Sequence, residues 1–206
     1  MENEGFALHQ RFCDIGKNVS MDYTQAAIPE QLIYEMTDGV PVYYRGYQRT
    51  LHGEKEIAQI KGSSKIQAYL IAELVFLLRG FLGKEYHVFT NEIGILLKEK
   101  TWRAADIAVI HQDQVTDLDS TYLDVPPQLV IEIDTKADWS GIEDPLSYYQ
   151  KKTDELLDFG VEKVIWIFSE TEKVMLAEQH RPWITVSWEE EIDLLPGLPC
   201  TIRSLL

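Results

Sequence analysis

The stretch "PPQLVIEIDTKADW" (126–139) decides how this chain is read. Leu129, Val130, Ile131 and Ile133 make the short continuous apolar run of an interior strand. Glu132 and Asp134 interrupt that run two positions apart. In an extended chain they lie on one face, with the Ile133 carbonyl between them. Burying an unpaired carboxylate is costly, and buried charges are normally paired or bound to metal. The pattern recurs in "RAADIAVIH" (103–111), a second apolar run that contains Asp106. Either acid alone could salt-bridge an arginine such as Arg103 at a strand end. Two on neighbouring core strands favour a shared purpose.

Three hard oxygen groups, Asp106, Glu132 and Asp134, could then converge with the Ile133 carbonyl. No His or Cys stands at useful spacing, so the set suits Mg²⁺ or Mn²⁺ and argues against zinc. Phosphodiester chemistry at such a site also wants a cation near the reacting oxygens. Lys136 has the right parity, but four strand positions put its Cα ~13 Å from that of Glu132, so it needs a bend. Lys152 is better placed. In "EDPLSYYQKKTDELLDFGV" it shares the inward helical face with Tyr149, Leu156 and Phe159, while Lys151 neighbours Ser147, Asp154, Glu155 and Asp158 on the solvated side. The alternative, a lysine snorkelling to the helix edge, stays open.

Working outward, "LIYEMTDGVPVYY" (32–44) reads as a hairpin around Asp38-Gly39. "SSKIQAYLIAELVFLLRGFLG" (63–83) reads as a helix opened by serines and closed by glycine, apolar enough all round to be covered on more than one side. On it, Glu73 faces either the metal or an ion-pair partner at the core edge. "HVFTNEIGILLKE" supplies one or two strands. The helix running from Pro145 to a stop at Gly160 is followed by strands "KVIWIFS", "KVMLAE" and "PWITVSW". The pattern predicts a mixed α/β domain over 26–206 with one central sheet flanked by helices, preceded by an arm (1–25) that is flexible or contacts a second subunit.

With 206 residues, 45% of them hydrophobic, the chain can bury a substantial core. Cys13 and Cys200 stand in no metal spacing, and neither has a His partner in a recognisable motif; no nucleophile elbow is present. The reading is free thiols in a reducing cytoplasm, with no secretory signal and no run near the ~20 apolar residues of a membrane span. A net charge of −15 argues against a protein that coats nucleic acid, and less against an enzyme that grips DNA locally.

The order of strand-Asp106, strand-"VIEI" and helix-"QKKTDELLDFGVEKVIWIF" resembles the bacterial Uma family of restriction-endonuclease-like proteins, within the PD-(D/E)XK nuclease superfamily. The likeness runs from "LIYEMTDGVPV" to "DLLPGLPCTIRSLL". It includes Glu35 ahead of the Asp38-Gly39 turn, and Lys152 eight residues before Gly160. The resemblance implies a restriction-endonuclease-like core, Asp106 and Glu132 as metal ligands, a Mg²⁺-dependent nuclease-type reaction on DNA, and Lys152 as the relocated motif lysine; a homodimer is the expected assembly. Three positions depart from the pattern. Ala105 replaces the motif proline, Asp134 stands where a lysine is usual, and Ser64, Lys65 and Ile66 occupy the place of a helix histidine. A nuclease fold retained as a non-catalytic, dimeric interaction module is the alternative expectation.

Overall fold

The computed structural model describes residues 28–115, 117–138 and 145–206; the arm expected over 1–25 lies outside the described residues. Strands β1 (Ile33–Thr37) and β2 (Val40–Tyr43) form the expected hairpin. Asp38 and Gly39 at its turn have φ of 49° and 78°, the left-handed pair that a tight two-residue connection requires. Two short helices, α1 (Tyr47–Leu51) and α2 (Ile57–Lys61), lead to the long helix α3 (Lys65–Leu82). The Ser64 hydroxyl caps α3 by accepting from the Gln67 amide at 3.2 Å, and Gly83 ends it at φ 65°. Then come β3 (Tyr86–Lys98), β4 (Thr101–His111), β5 (Leu129–Ile133), α4 (Pro145–Phe159), β6 (Lys163–Phe168), β7 (Lys173–Glu178) and β8 (Ile184–Ser187). A separate hairpin, β9 (Glu191–Leu195) and β10 (Leu198–Thr201), closes the chain.

Eight strands make one mixed sheet in the order β2-β1-β4-β5-β6-β7-β8, with β3 paired to β4. Its one parallel pair, β5 and β6, is joined through α4, as a parallel connection requires; the rest is antiparallel. Both faces of the central strands are buried. Ile107, Leu129, Ile131 and Ile165 pack with Leu70, Leu74 and Leu78 of α3, while Ala108, Val130, Val164 and Trp166 pack with Leu156 of α4. Among the described residues, α3 is covered on one side only. Gln67, Leu70, Leu74 and Leu78 are its buried stripe, at spacings of three and four. Phe76 is 75% exposed on the outer side, against the expectation of cover on more than one side.

The topology around β4 positions everything that follows. β3 occupies one edge along its length, from Tyr86↔His111 to Lys98↔Thr101. On the opposite edge β1 meets it at Trp102 and β5 at Ile107 to Val109. Between those contacts, over residues 103–106, that edge has no strand beside it among the described residues. α4 is held over the gap from the far side: the buried Trp166 indole donates to Thr153 Oγ1 at 2.9 Å, and Thr153 donates to the Tyr149 carbonyl at 2.7 Å. Thr153→Val keeps the side-chain shape but leaves the indole N–H without an acceptor. It is expected to lower stability by about 1–3 kcal/mol, read from the urea midpoint.

Candidate active site

Side chains take the place of the missing strand. The Ala104 N–H donates to Glu35 Oε1 at 3.2 Å, and the Ala104 carbonyl accepts from Lys152 Nζ at 2.7 Å. At the other end of the gap, the Ile133 N–H donates to Asp106 Oδ2 at 2.7 Å, beyond the last β4–β5 backbone pair at Ile107↔Ile131. The sheet therefore parts between β1 and β5, and three acids with one lysine line the parting.

Lys152 is wholly buried. Its ammonium lies 2.6 Å from Glu35 Oε1 and 2.9 Å from Glu132 Oε1. Glu35 is also held by Arg103 Nη1 at 2.7 Å and by the Tyr148 hydroxyl, which donates to its Oε2 at 2.8 Å. Arg103 Nη2 reaches Glu155 Oε2 at 2.6 Å. Glu132 is less well supplied. Its Oε1 meets the Lys152 ammonium at 2.9 Å, a contact whose angles fall short of good hydrogen-bond geometry. Burial disfavours charge on both Glu35 and Glu132, yet the two respond oppositely. Lys152 and Arg103 together hold Glu35 below the usual carboxylate range. Glu132 has only a share of Lys152, with Asp106 and Glu35 repelling it, and is pushed up to about 8. Burial also works against the Lys152 charge, but Glu132 and Glu35 outweigh it and keep the amine protonated.

Asp106 forms the second half of the site. Burial raises its pKa, opposed by hydrogen bonds from Ile133 and Gln67. The Gln67 amide nitrogen lies 3.1 and 3.2 Å from the two Asp106 carboxylate oxygens and 3.0 Å from the Ile133 carbonyl. Asp106 also borders a cleft of about 580 Å³ with Tyr44, Lys61, Ser63, Glu92 and Lys136. Opposite Asp106, β3 bulges. Asn91 and Glu92 have φ of 67° and 56°, and pairing resumes only at Ile93↔Ala105. Such a bulge re-aims side chains beside a site. Here it directs Glu92 to the Tyr44 hydroxyl, which donates at 2.9 Å, and to an ion pair with Lys136.

Of the residues singled out from sequence, Asp106, Glu132 and Lys152 are gathered at the parting, and the Ile133 carbonyl lies beside Asp106. Asp134 is not with them. β5 ends at Ile133 and Asp134 takes φ 56°, so the two-residue alternation that placed it on the Glu132 face does not apply. Its carboxylate accepts instead from the Ser169 amide at 2.8 Å and the Ser169 hydroxyl at 2.6 Å, past the end of β6. The same turn supplies the bend that Lys136 required, but it carries Lys136 to Glu92 and to the Lys61 carbonyl at 2.9 Å rather than to Glu132. Glu73 is partly exposed farther along α3. Arg103 does form ion pairs, with Glu35 and Glu155 and not with the two strand acids. Gln67 and Tyr148 were not singled out. The signal for Gln67 was a polar residue on the 67/70/74/78 stripe.

No group of three His, Cys, Asp or Glu side chains that could hold a metal ion occurs among the described residues, so carbonyl and water oxygens would have to complete any shell. Also among the described residues, no helix is long and apolar enough to cross a membrane. No family model matches the chain, and no curated protein matches it. A solved structure from Anabaena variabilis, described as a "putative nuclease belonging to DUF820", is similar in fold. The TM-score is 0.61 at 12% identity, covering 83% of this chain and 88% of that one. The fold is thus nuclease-like, and the Uma family stays a resemblance of motif order.

The raised Glu132 has a consequence for stability. The folded chain keeps a proton there that the unfolded chain releases near the usual 4.5, so Glu132 makes stability fall as pH rises from about 4.5 to about 8. Glu132→Gln should flatten that decline, measured as melting temperature across the same range. An unchanged slope would mean that Glu132 ionises normally.

Proposed function

We propose that this chain is a metal-dependent hydrolase of DNA phosphodiester bonds. The observation that carries the reading is the parting of the sheet between β1 and β5, where the Asp106 carboxylate raises the proton affinity of Glu132 and Lys152 stands 2.9 Å from Glu132. The donors fit a hard divalent cation. They are all oxygen, and among the described residues the buried Glu132 Oε1 has only the poorly angled Lys152 ammonium beside it, at 2.9 Å. Asp106, Glu132 and the Ile133 carbonyl would hold Mg²⁺ or Mn²⁺, which when bound supplies a polarised phosphoryl oxygen and a more acidic water.

The chain's own residues account for the rest. Lys152, kept protonated, orients Glu132 and places positive charge beside the reacting oxygens. Glu35 fixes Lys152, and Arg103 with Tyr148 fixes Glu35, so the lysine has little freedom to leave. Lys61 and Lys136 line the cleft onto which Asp106 opens and would meet a DNA phosphate there. With a net charge of −15, such a grip is local and weakens steeply with salt.

A non-catalytic module built on the same fold is the second reading. It is favoured by the complete burial of Lys152, which in that case serves only to close the sheet. The readings separate in one assay. Purified protein should nick supercoiled plasmid with Mn²⁺ or Mg²⁺, and Asp106→Ala should lower the rate by at least about 100-fold. Equal nicking by both proteins would mark the activity as contamination and leave the second reading standing.

A further inference from the structure

The Gln67 amide lies where three oxygens converge. Asp106 Oδ1, Asp106 Oδ2 and the Ile133 carbonyl are all acceptors, at 3.1, 3.2 and 3.0 Å from one nitrogen. An amide group can satisfy that surrounding only by presenting its NH₂ end, since its oxygen would meet three lone-pair donors. The NH₂ group has two hydrogens for three acceptors, so it acts as a small centre of partial positive charge. It touches the same oxygens that the proposed function assigns to a cation. Being neutral overall, it does so without cancelling their charge.

The surroundings leave it somewhere to go. Gln67 is anchored through its backbone by the Ser64 cap, while the next residue, Ala68, and Ile71 one turn on line the cleft of about 580 Å³ that reaches Asp106. A change of side-chain rotamer toward that cleft would take the amide out of the convergence and leave the buried Leu70, Leu74 and Leu78 in place.

We infer that Gln67 is a plug for the cation seat: its amide holds Asp106 and the Ile133 carbonyl together in the metal-free protein and is displaced when a divalent ion enters. The inference rests on the proposed metal site and adds its regulation. Gln67 then sets how much cation the protein needs, because each ion that enters must replace hydrogen bonds to a charged group.

The test is Mn²⁺ binding to the full chain, by calorimetry and by the paramagnetic relaxation of water protons, neither of which depends on catalysis. Gln67→Ala removes the plug, and Gln67→Met keeps most of its volume but cannot donate. Losing hydrogen bonds of this kind should tighten the Mn²⁺ dissociation constant by about tenfold or more in Gln67→Ala, with Gln67→Met moving the same way. Asp106→Asn in either background should abolish the gain. Circular dichroism checks that the variants fold, and Gln67→Met carries the test if Gln67→Ala does not. Unchanged or weaker binding in the folded Gln67 variants, with Mn²⁺ still bound by the wild type, would overturn the plug and leave the metal site intact. No binding by any of them would overturn the plug and the metal reading together.

Discussion

The backbone of Ala104 is the point on which this structure turns. A strand in the middle of a sheet must find partners for its amide and carbonyl on both edges, because buried peptide groups left unpaired cost about as much as a lost hydrogen bond. β4 has β3 along one edge, but on the other β1 and β5 leave a space between them. Glu35 and Lys152 fill it, one accepting from the Ala104 amide and the other donating to its carbonyl. Two charged side chains thereby do the work of a missing strand. Once they are in a dry layer they must be paired, which draws in Arg103, Tyr148 and Glu132.

The charges in this cluster do not cancel. Glu35, Asp106, Glu132 and Glu155 face Arg103 and Lys152, and Arg103 is committed to Glu35 and Glu155. What remains for the two strand acids is part of Lys152, with the smaller influence of Lys136 reaching Asp106. Removing one partner from a buried ion pair is far more damaging than replacing the whole pair by apolar groups, since it leaves an uncompensated charge. The cluster is therefore rigid in its cations and yielding in one carboxylate, Glu132.

Much of this is legible in the sequence, and each feature that is not has its own physical cause. The mixed sheet, the α3 and α4 boundaries and the β1–β2 turn followed from caps, glycines and apolar runs. Lys152 was separated from Lys151 because helical spacing stays regular over the whole of α4. Asp134 was misplaced because strand parity was extended one residue beyond where the strand exists, and a left-handed φ is invisible to a rule that assumes an extended chain. Gln67 was passed over because a single polar residue on an apolar stripe looks like a gap in the pattern, when its partners lie in strands about forty and sixty-six residues away. The helices α1 and α2, five residues each, are too short for periodicity to reveal. The β3 bulge at Asn91 and Glu92 leaves no compositional mark that distinguishes it from an ordinary strand.

Because Glu35 and Lys152 hold the sheet closed, selection for a folded chain alone would preserve them in descendants that no longer perform any chemistry. Their persistence among relatives would measure architecture. Lys61 is a different kind of witness: its ammonium lies 5.0 Å over the Tyr44 ring beside the cleft, and no strand depends on it. Drift at such rim positions, with the interior unchanged, is the pattern that a lineage abandoning its substrate would leave behind.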